Sequence, residues 1–221
     1  IEKVVEAIEI CKNNCFKIDI HLMPDLPYST PEKDIAMFDE IYKSDKFQPD
    51  QIKIYPCEVV PWTKIEKWHQ DGSYKPYGGD KELMTKVLQY GMTNCPPWIR
   101  LPRVIRDIPD TYISGGVKCG NMRQVINDKI DAENLYSMDI RHREIERHPE
   151  YDGDDARLFV RSYRASRGTE YFISFETYDQ KAIYGFLRIR IPDKFYKDQI
   201  DYYDTLNNKG LIRELHVYGS V

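Results

Sequence analysis

Apolar and polar positions follow two alternating periods along the first hundred residues. Ile1, Val4, Val5, Ile8, Cys11 and Cys15 recur at helical spacing and leave Glu and Lys residues outside, which predicts an opening helix. FKIDIHLM (16–23) then alternates with period two, as a half-buried strand does. Thr30 followed by Pro31 marks a helix start, because the hydroxyl can accept a first-turn N–H and proline lacks one there anyway. Ile35, Phe38, Ile41 and Tyr42 supply that helix with its apolar stripe. QIKIYP (51–56) reads as the next strand, TKIEKWH as a short helix, and 71–79 as a Gly- and Tyr-rich turn. KELMTKVLQYGM (81–92) is helical again and WIRLPRVIR (98–106) extended. Strand, helix, strand, helix, strand predicts parallel βα units. Three strands do not close a barrel of eight. The first hundred residues are therefore a small open sheet or the second half of a barrel.

The pattern then changes class. GGVKCGN reads as a loop, MRQVINDKI as a short helix with polar extended segments after it, and HPEYDGDD (148–155) as a boundary loop. ARLFVRSYRAS (156–166), TEYFISFETY (169–178) and AIYGFLRIRIP (182–192) are strands joined by short turns, an antiparallel meander. A polar loop over 193–210 leads to a fourth strand, LIRELHVYGSV (211–221). The chain opens on Ile1 rather than Met and stops in strand-like residues, so the expectation is a piece of a longer polypeptide.

Charged residues make up 31% of the chain, above the usual quarter. Seventeen Tyr, eight Phe and three Trp nevertheless exclude simple disorder. No apolar run is long enough to span a membrane, and the acidic amphipathic N-terminus is neither a signal nor a transit peptide. The net charge of −4 does not by itself point to nucleic acid. Between Trp98 and Ile126, however, Arg100, Arg103, Arg106, Lys118 and Arg123 stand against only Asp107 and Asp110, a candidate phosphate-binding stripe. Five scattered cysteines form no paired framework and fit a reducing compartment.

Few residues offer chemistry by themselves. Cys11 and Cys15 would share a helix face, either as two small apolar groups or as two metal ligands, and no nearby pair completes a set. Cys119, His142 and His148 are likewise too few and too scattered for zinc. His21, with Asp19 and Asp25 near it, is a buried structural histidine or a strand-end group reaching a site. Lys53 and Tyr55 point to one face of their strand while Ile52 and Ile54 point to the other. An inward ammonium needs a polar ligand or a salt bridge. Glu214, His216 and Tyr218 share one face of the last strand, and Arg213, Leu215 and Val217 the other; the first set offers a base or an ordinary cross-strand pair. The chain has no CxxxCxxC, P-loop, HExxH or GxGxxG motif.

Six local sequences are specific in combination: HLMPDLPYSTPEKD, FQPDQIKIYP, PPWIRLPRVIRDIP, GNMRQ, DIRHRE and RELHVYG, in that order. The series, from about Cys15 to Val221, resembles the catalytic subunits of Elongator, the tRNA wobble-uridine acetyltransferases. The resemblance implies a radical S-adenosylmethionine (SAM) barrel carrying a 4Fe-4S cluster, coupled to a GNAT-type acetyltransferase domain. It implies acetyl-CoA as carbon donor, opened by the GNAT part and passed on as an acetyl radical to uridine carbon 5 through 5′-deoxyadenosyl chemistry. The implied fold is α/β. Residues 1–100 would be the C-terminal part of a radical SAM βα barrel, 101–150 a connecting region, and 151–221 the antiparallel N-terminal half of a GNAT-like α+β domain. The cluster cysteines would precede Ile1 and the acetyl-CoA pyrophosphate loop would follow Val221.

Carried onto this sequence, Lys53 and Tyr55 would face the SAM and nucleoside pocket. Glu214, His216 and Tyr218 would border the thioester, with Glu214 as candidate base, and Lys53 and Glu214 would look into one shared cavity. The five basic residues from Arg100 to Arg123 would meet the tRNA anticodon region. Partners would include other Elongator subunits and no membrane, in the cytoplasm or also the nucleus. Two rival readings are a GNAT-type lysine acetyltransferase acting on proteins and a non-catalytic tRNA-binding module.

Overall fold

The computed structural model describes residues 1–106, 108–193, 206 and 209–219, so most of the polar loop expected at 193–210, together with Asp107 and Val221, lies outside the described residues. The elements are α1 (Glu2–Asn13), β1 (Asp19–Leu22), α2 (Pro31–Lys43), β2 (Gln51–Ile54), α3 (Lys64–Gln70), α4 (Lys81–Thr93), β3 (Arg100–Arg103), α5 (Met122–Ala132), α6 (Ile140–Arg143), β4 (Arg157–Arg164), β5 (Gly168–Glu176), β6 (Ile183–Pro192) and β7 (Leu211–Val217). Strands β1, β2 and β3 form a parallel sheet in that order, and β4 to β7 an antiparallel meander in sequence order.

Helix starts follow the local chemistry. Thr30 caps α2 by accepting the Lys33 N–H, Pro31 occupies the first turn, and Asp80 caps α4 by accepting the N–H groups of Glu82 and Leu83. The buried face of the parallel sheet, with Ile52, Ile54 and Leu101, packs on Phe38 of α2, on Met84, Leu88 and Met92 of α4, and on Ile126 of α5. Gly91 lets α4 lie against α2, since a Cβ there would come within 2.7 Å of the Phe38 ring. The same core takes in Val104, Val117, Met122 and Ile130, so its packing runs well past residue 100.

Three expectations are corrected. The opening helix ends at Asn13, and Cys15, with φ of 67°, lies beyond it and off the Cys11 face. Ile1 and Val4 are exposed, whereas Lys12 is fully buried, because α1 faces the antiparallel sheet with a polar side as well as the core with an apolar one. The segment after α5 is not simply extended. Asp139 accepts the Arg141 N–H and starts α6, a helix too short to leave a period in the sequence.

The antiparallel sheet has an unusual polarity. Its inner face carries only a small apolar cluster of Phe172, Ile183 and Phe186 with Ile140, and beside it the buried Glu170, Glu176, Arg188 and Arg190. Its outer face leaves Leu158, Val160, Phe175, Leu215 and Val217 exposed.

Candidate functional site

The two sheets meet through buried charge. Asp50, just ahead of β2, accepts both terminal nitrogens of Arg213 at 2.6 and 2.8 Å, pairs with Arg188 at 3.1 Å, and takes the Ile18 N–H at 2.8 Å. Glu170 of β5 pairs with Lys12 of α1 at 3.0 Å, with Arg190 and with Arg213. Arg190 also reaches Asn13 at 2.7 Å, and Arg188 donates to the Trp98 carbonyl while the Trp98 ring stacks on Tyr163 at 4.2 Å. Phe16, Asp50 and Trp98 all precede parallel strands, so the antiparallel sheet packs on the N-terminal ends of β1 to β3. Burial alone would raise the Asp50 carboxyl, but Arg188, Arg213 and Lys12 hold it well below the usual carboxylate range. Burial pushes the Lys12 ammonium down to about 8 against the pull of Asp50 and Glu170.

Backbone irregularities decide which expected site residues share a face. Three residues of β2, Gln51 to Lys53, oppose four of β3, Arg100 to Arg103. The extra residue lies in the stretch that holds Pro102, which has no N–H for the ladder, and it brings Arg100 and Arg103 to one side although their spacing of three puts them on opposite sides of a regular strand. A second bulge sets Arg188 opposite Glu214 and Ile189 opposite Ile212. Arg213 is the inserted residue. It turns inward to Asp50 and leaves the face it was expected to share with Leu215 and Val217, which remain outside. Glu214, His216 and Tyr218 do keep one face: His216 lies 4.3 Å from the Tyr218 ring and stacks on Phe186 at 6.0 Å.

The partners found for the other expected residues are specific. Lys53 pairs with Asp19 at 2.6 Å, and Tyr55 meets His21 edge-on at 5.4 Å. Asp25 lies elsewhere, under the 71–79 turn, where its carboxylate accepts the Tyr77 and Gly78 N–H groups. Burial pushes Asp25 up to about 6 despite those two bonds, and Asp34 adds to the rise. Both Glu214 oxygens are engaged, one by Lys17 and the other by Arg188 at 3.4 Å. Among the described residues lie two cavities of about 450 and 440 Å³, and neither of these is lined by Lys53 or Glu214. The single hollow expected to unite them is therefore not formed by either cavity.

The basic stripe divides in two. Arg100 is bonded to Glu144, with its Nε at 3.0 Å, and Arg123 donates to the Leu101 carbonyl at 2.6 Å. Those two residues hold β3 to α5 and to the segment after α6. Arg103, Arg106 and Lys118 are exposed and have no ion-pair partner among the described residues.

Arg106 acts electrostatically on Glu58. Burial pushes that carboxyl up to about 7, Arg106 opposes the rise and Asp110 adds to it. Its Oε2 is buried with no hydrogen-bond partner among the described residues. With the folded value above the unfolded one of about 4.3, unfolding releases a proton between the two, so this group lowers stability as pH rises from about 4 to 7. Glu58→Gln removes the ionisation. The expected result is a urea midpoint close to wild type at pH 5 and above it at pH 8. Midpoint differences that are equal at both pH values would refute the assignment.

The first cavity is lined by His69, Lys75, Lys81 and Lys118 with Gly78, Gly79 and the 114–117 loop. The second is apolar, lined by Ile173, Phe175, Leu187, Leu215 and Val217 together with His216. The sequence reading missed the seam residues Lys12, Asp50, Glu170, Arg188 and Arg190. Arg188 and Arg190 alternate with Ile189 and Ile191, and that period of two was the available sign of a charged inner face.

No group of three or more His, Cys, Asp or Glu residues able to hold a metal occurs among the described residues, and the five cysteines are free and dispersed. The residues present therefore do not fit an iron–sulfur cluster. No helix among them is long and apolar enough to cross a membrane.

Residues 49–132 match the family described as Radical_SAM C-terminal domain. The tRNA uridine(34) acetyltransferase of Methanocaldococcus infernus is 35% identical over 99% of this chain and 41% of its own length. Human Elongator complex protein 3 is 34% identical over 100% of this chain and 40% of its own. The solved structure of archaeal Methanocaldococcus infernus Elp3 with residues 1–46 deleted superposes with a TM-score of 0.88 at 35% identity, covering 99% of this chain and 51% of that one. From end to end this chain is a relative of the tRNA uridine(34) acetyltransferases and Elongator complex protein 3, and it spans about two fifths of their length.

Proposed function

We propose that the chain is part of an acyltransferase that modifies the wobble uridine of tRNA, in which a radical SAM unit and an acetyltransferase sheet work as one body. The observation that carries this reading is the seam. A parallel sheet and an antiparallel sheet share the buried Asp50, Glu170, Arg188 and Arg213. A lysine acetyltransferase acting on proteins has no need of a βα unit locked to it in this way.

Within this reading the division of labour follows the geometry. His216 and Tyr218 on β7 are the side chains offered to acetyl-CoA, with His216 beside the apolar cavity that would receive an acyl chain. Glu214, whose two oxygens are both engaged by cations, positions Arg188 and β7 rather than taking a proton. Lys53 of β2 and Tyr55 just beyond its end are the side chains offered to SAM and the nucleoside. Arg103, Arg106 and Lys118 meet RNA phosphates, which orients the anticodon region without reading its sequence. SAM and a 4Fe-4S cluster would supply the radical chemistry. The cytoplasm, with other Elongator subunits as partners, is the setting this reading implies.

The test is hydrolysis of acetyl-CoA by the whole protein carrying this sequence, with tRNA or with a lysine peptide added. Turnover that rises with tRNA and not with peptide is expected. Peptide acetylation indifferent to RNA would establish the lysine acetyltransferase instead.

A further inference from the structure

The basic cavity lies at the opposite end of the parallel sheet from the seam. Its 114–117 loop is stitched to the segment leaving β2, with the Val59 N–H donating to the Gly115 carbonyl at 2.9 Å and the Ser114 N–H to the Val59 carbonyl at 2.8 Å. Its other wall is the turn entering α4. The cleft is thus built from loops that follow the C-terminal ends of parallel strands, the end where βα folds place their ligands.

Its charge is one-sided. Lys75, Lys81 and Lys118 line it with His69, and no carboxylate does. Nearby acids are committed to other groups: Asp80 caps α4, Glu82 pairs with Lys86 at 3.1 Å, and Asp25 is held by the backbone of Tyr77 and Gly78. None of the three lysine ammonium groups has a hydrogen-bond or ion-pair partner among the described residues. The backbone N–H groups of Gly116, Val117 and Lys118 also find no acceptor there, and Gly116 has φ of +94°. Two segments of one pattern, GGDK (78–81) and GGVK (115–118), supply two of the lysines from opposite walls. Three cations and a run of free amides around about 450 Å³ suit a phosphodiester with part of its sugar better than a lone ion.

We propose that the cleft between Lys75, Lys81 and Lys118 is a phosphate subsite for an RNA backbone, separate from Arg103. This rests on the tRNA reading above. The cleft anchors the strand at the sheet end opposite the acetyltransferase seam, so that the RNA bridges a longer span of the molecule than the arginines alone define.

The experiment measures binding of an anticodon stem–loop RNA to the chain by fluorescence anisotropy across a KCl series. It compares wild type with Lys75→Gln/Lys81→Gln/Lys118→Gln and with Lys3→Gln/Lys43→Gln/Lys86→Gln, a control of equal charge change. All six lysines are exposed, and thermal melts verify that both variants fold. The cleft variant is expected to lose about tenfold or more in affinity and about two units of the slope of log K against log salt, at roughly 0.7 per phosphate contact. The control should stay within about twofold of wild type. Equal losses in both variants, or wild-type binding by the cleft variant, would overturn the subsite and leave the tRNA reading standing. Wild-type protein that binds no RNA would overturn both. Inorganic pyrophosphate bound in a lysine-dependent way without displacing RNA would assign the cleft to a small anion, again against the proposal.

Discussion

Asp50→Asn is expected to cost about 3–5 kcal/mol of folding stability, read as the urea unfolding free energy at pH 7. Asp50 is fully buried and faces Arg188, Arg213 and, at longer range, Lys12, while it also accepts the Ile18 backbone N–H. The amide keeps the shape and removes the charge, and it turns a donor toward guanidinium groups that have no water to replace the lost anion. Loss of Coulomb attraction is the smaller part; the larger is the desolvation of two arginines left undercompensated. The pH dependence gives a second reading. Because the folded carboxyl titrates below the unfolded one, its contribution is full above about pH 4 and is lost as pH falls toward the folded value. The gap between wild type and variant should narrow below pH 4. Asp39→Asn, which loses a half-exposed partner of Lys43 and Tyr90, serves as the control and should cost less than about 1 kcal/mol. A loss for Asp50→Asn no larger than the control's would show that the seam does not hold the sheets together.

Arg143→Ala should rank beside it, at about 3–5 kcal/mol by the same denaturation. Arg143 is fully buried at the other end of the contact between the units. It donates to the carbonyls of Met138 at 2.9 Å and Pro97 at 2.7 Å, and pairs with Glu176 at 2.9 Å. Glu176 keeps both nitrogens of Arg161 and the Ser174 hydroxyl, so the anion is not stranded. The truncation strands two half-buried carbonyls and leaves a cavity the size of a guanidinium. Arg143→Lys should recover less than half of the loss, since one ammonium cannot span three acceptors in the directions a planar fork does. Full recovery by lysine, or a loss for alanine below about 0.5 kcal/mol, would refute the staple.

Together the two variants bear on function through the link between the sheets. If the radical SAM unit and the acetyltransferase sheet work as one body, weakening either staple should reduce tRNA-stimulated acetyl-CoA turnover in the whole protein more than it reduces acetyl-CoA binding.

Much of this protein is legible in its amino-acid sequence. Local chemistry sets the elements: a capping Thr30 before Pro31, apolar residues at helical spacing through Tyr42, and period-two alternation over 156–192 each rest on neighbours a few residues away. The six ordered motifs carried the family for the same reason, since each is a continuous stretch. Tertiary structure decided what one residue does to another far off in the chain. Lys12 reads as the solvent side of a helix, and Glu170, 158 residues later, together with Asp50 makes its burial tolerable. Arg100 and Arg103 share a face, and Arg213 turns inward, because single inserted residues reset the strand alternation. A bulge leaves no mark in a period-two count, whereas it moves the side chains beyond it to the other face. The cleft of Lys75, Lys81 and Lys118 arises likewise, from two glycine-rich loops that lie far apart in sequence and meet only where the ends of β2 and β3 bring them together.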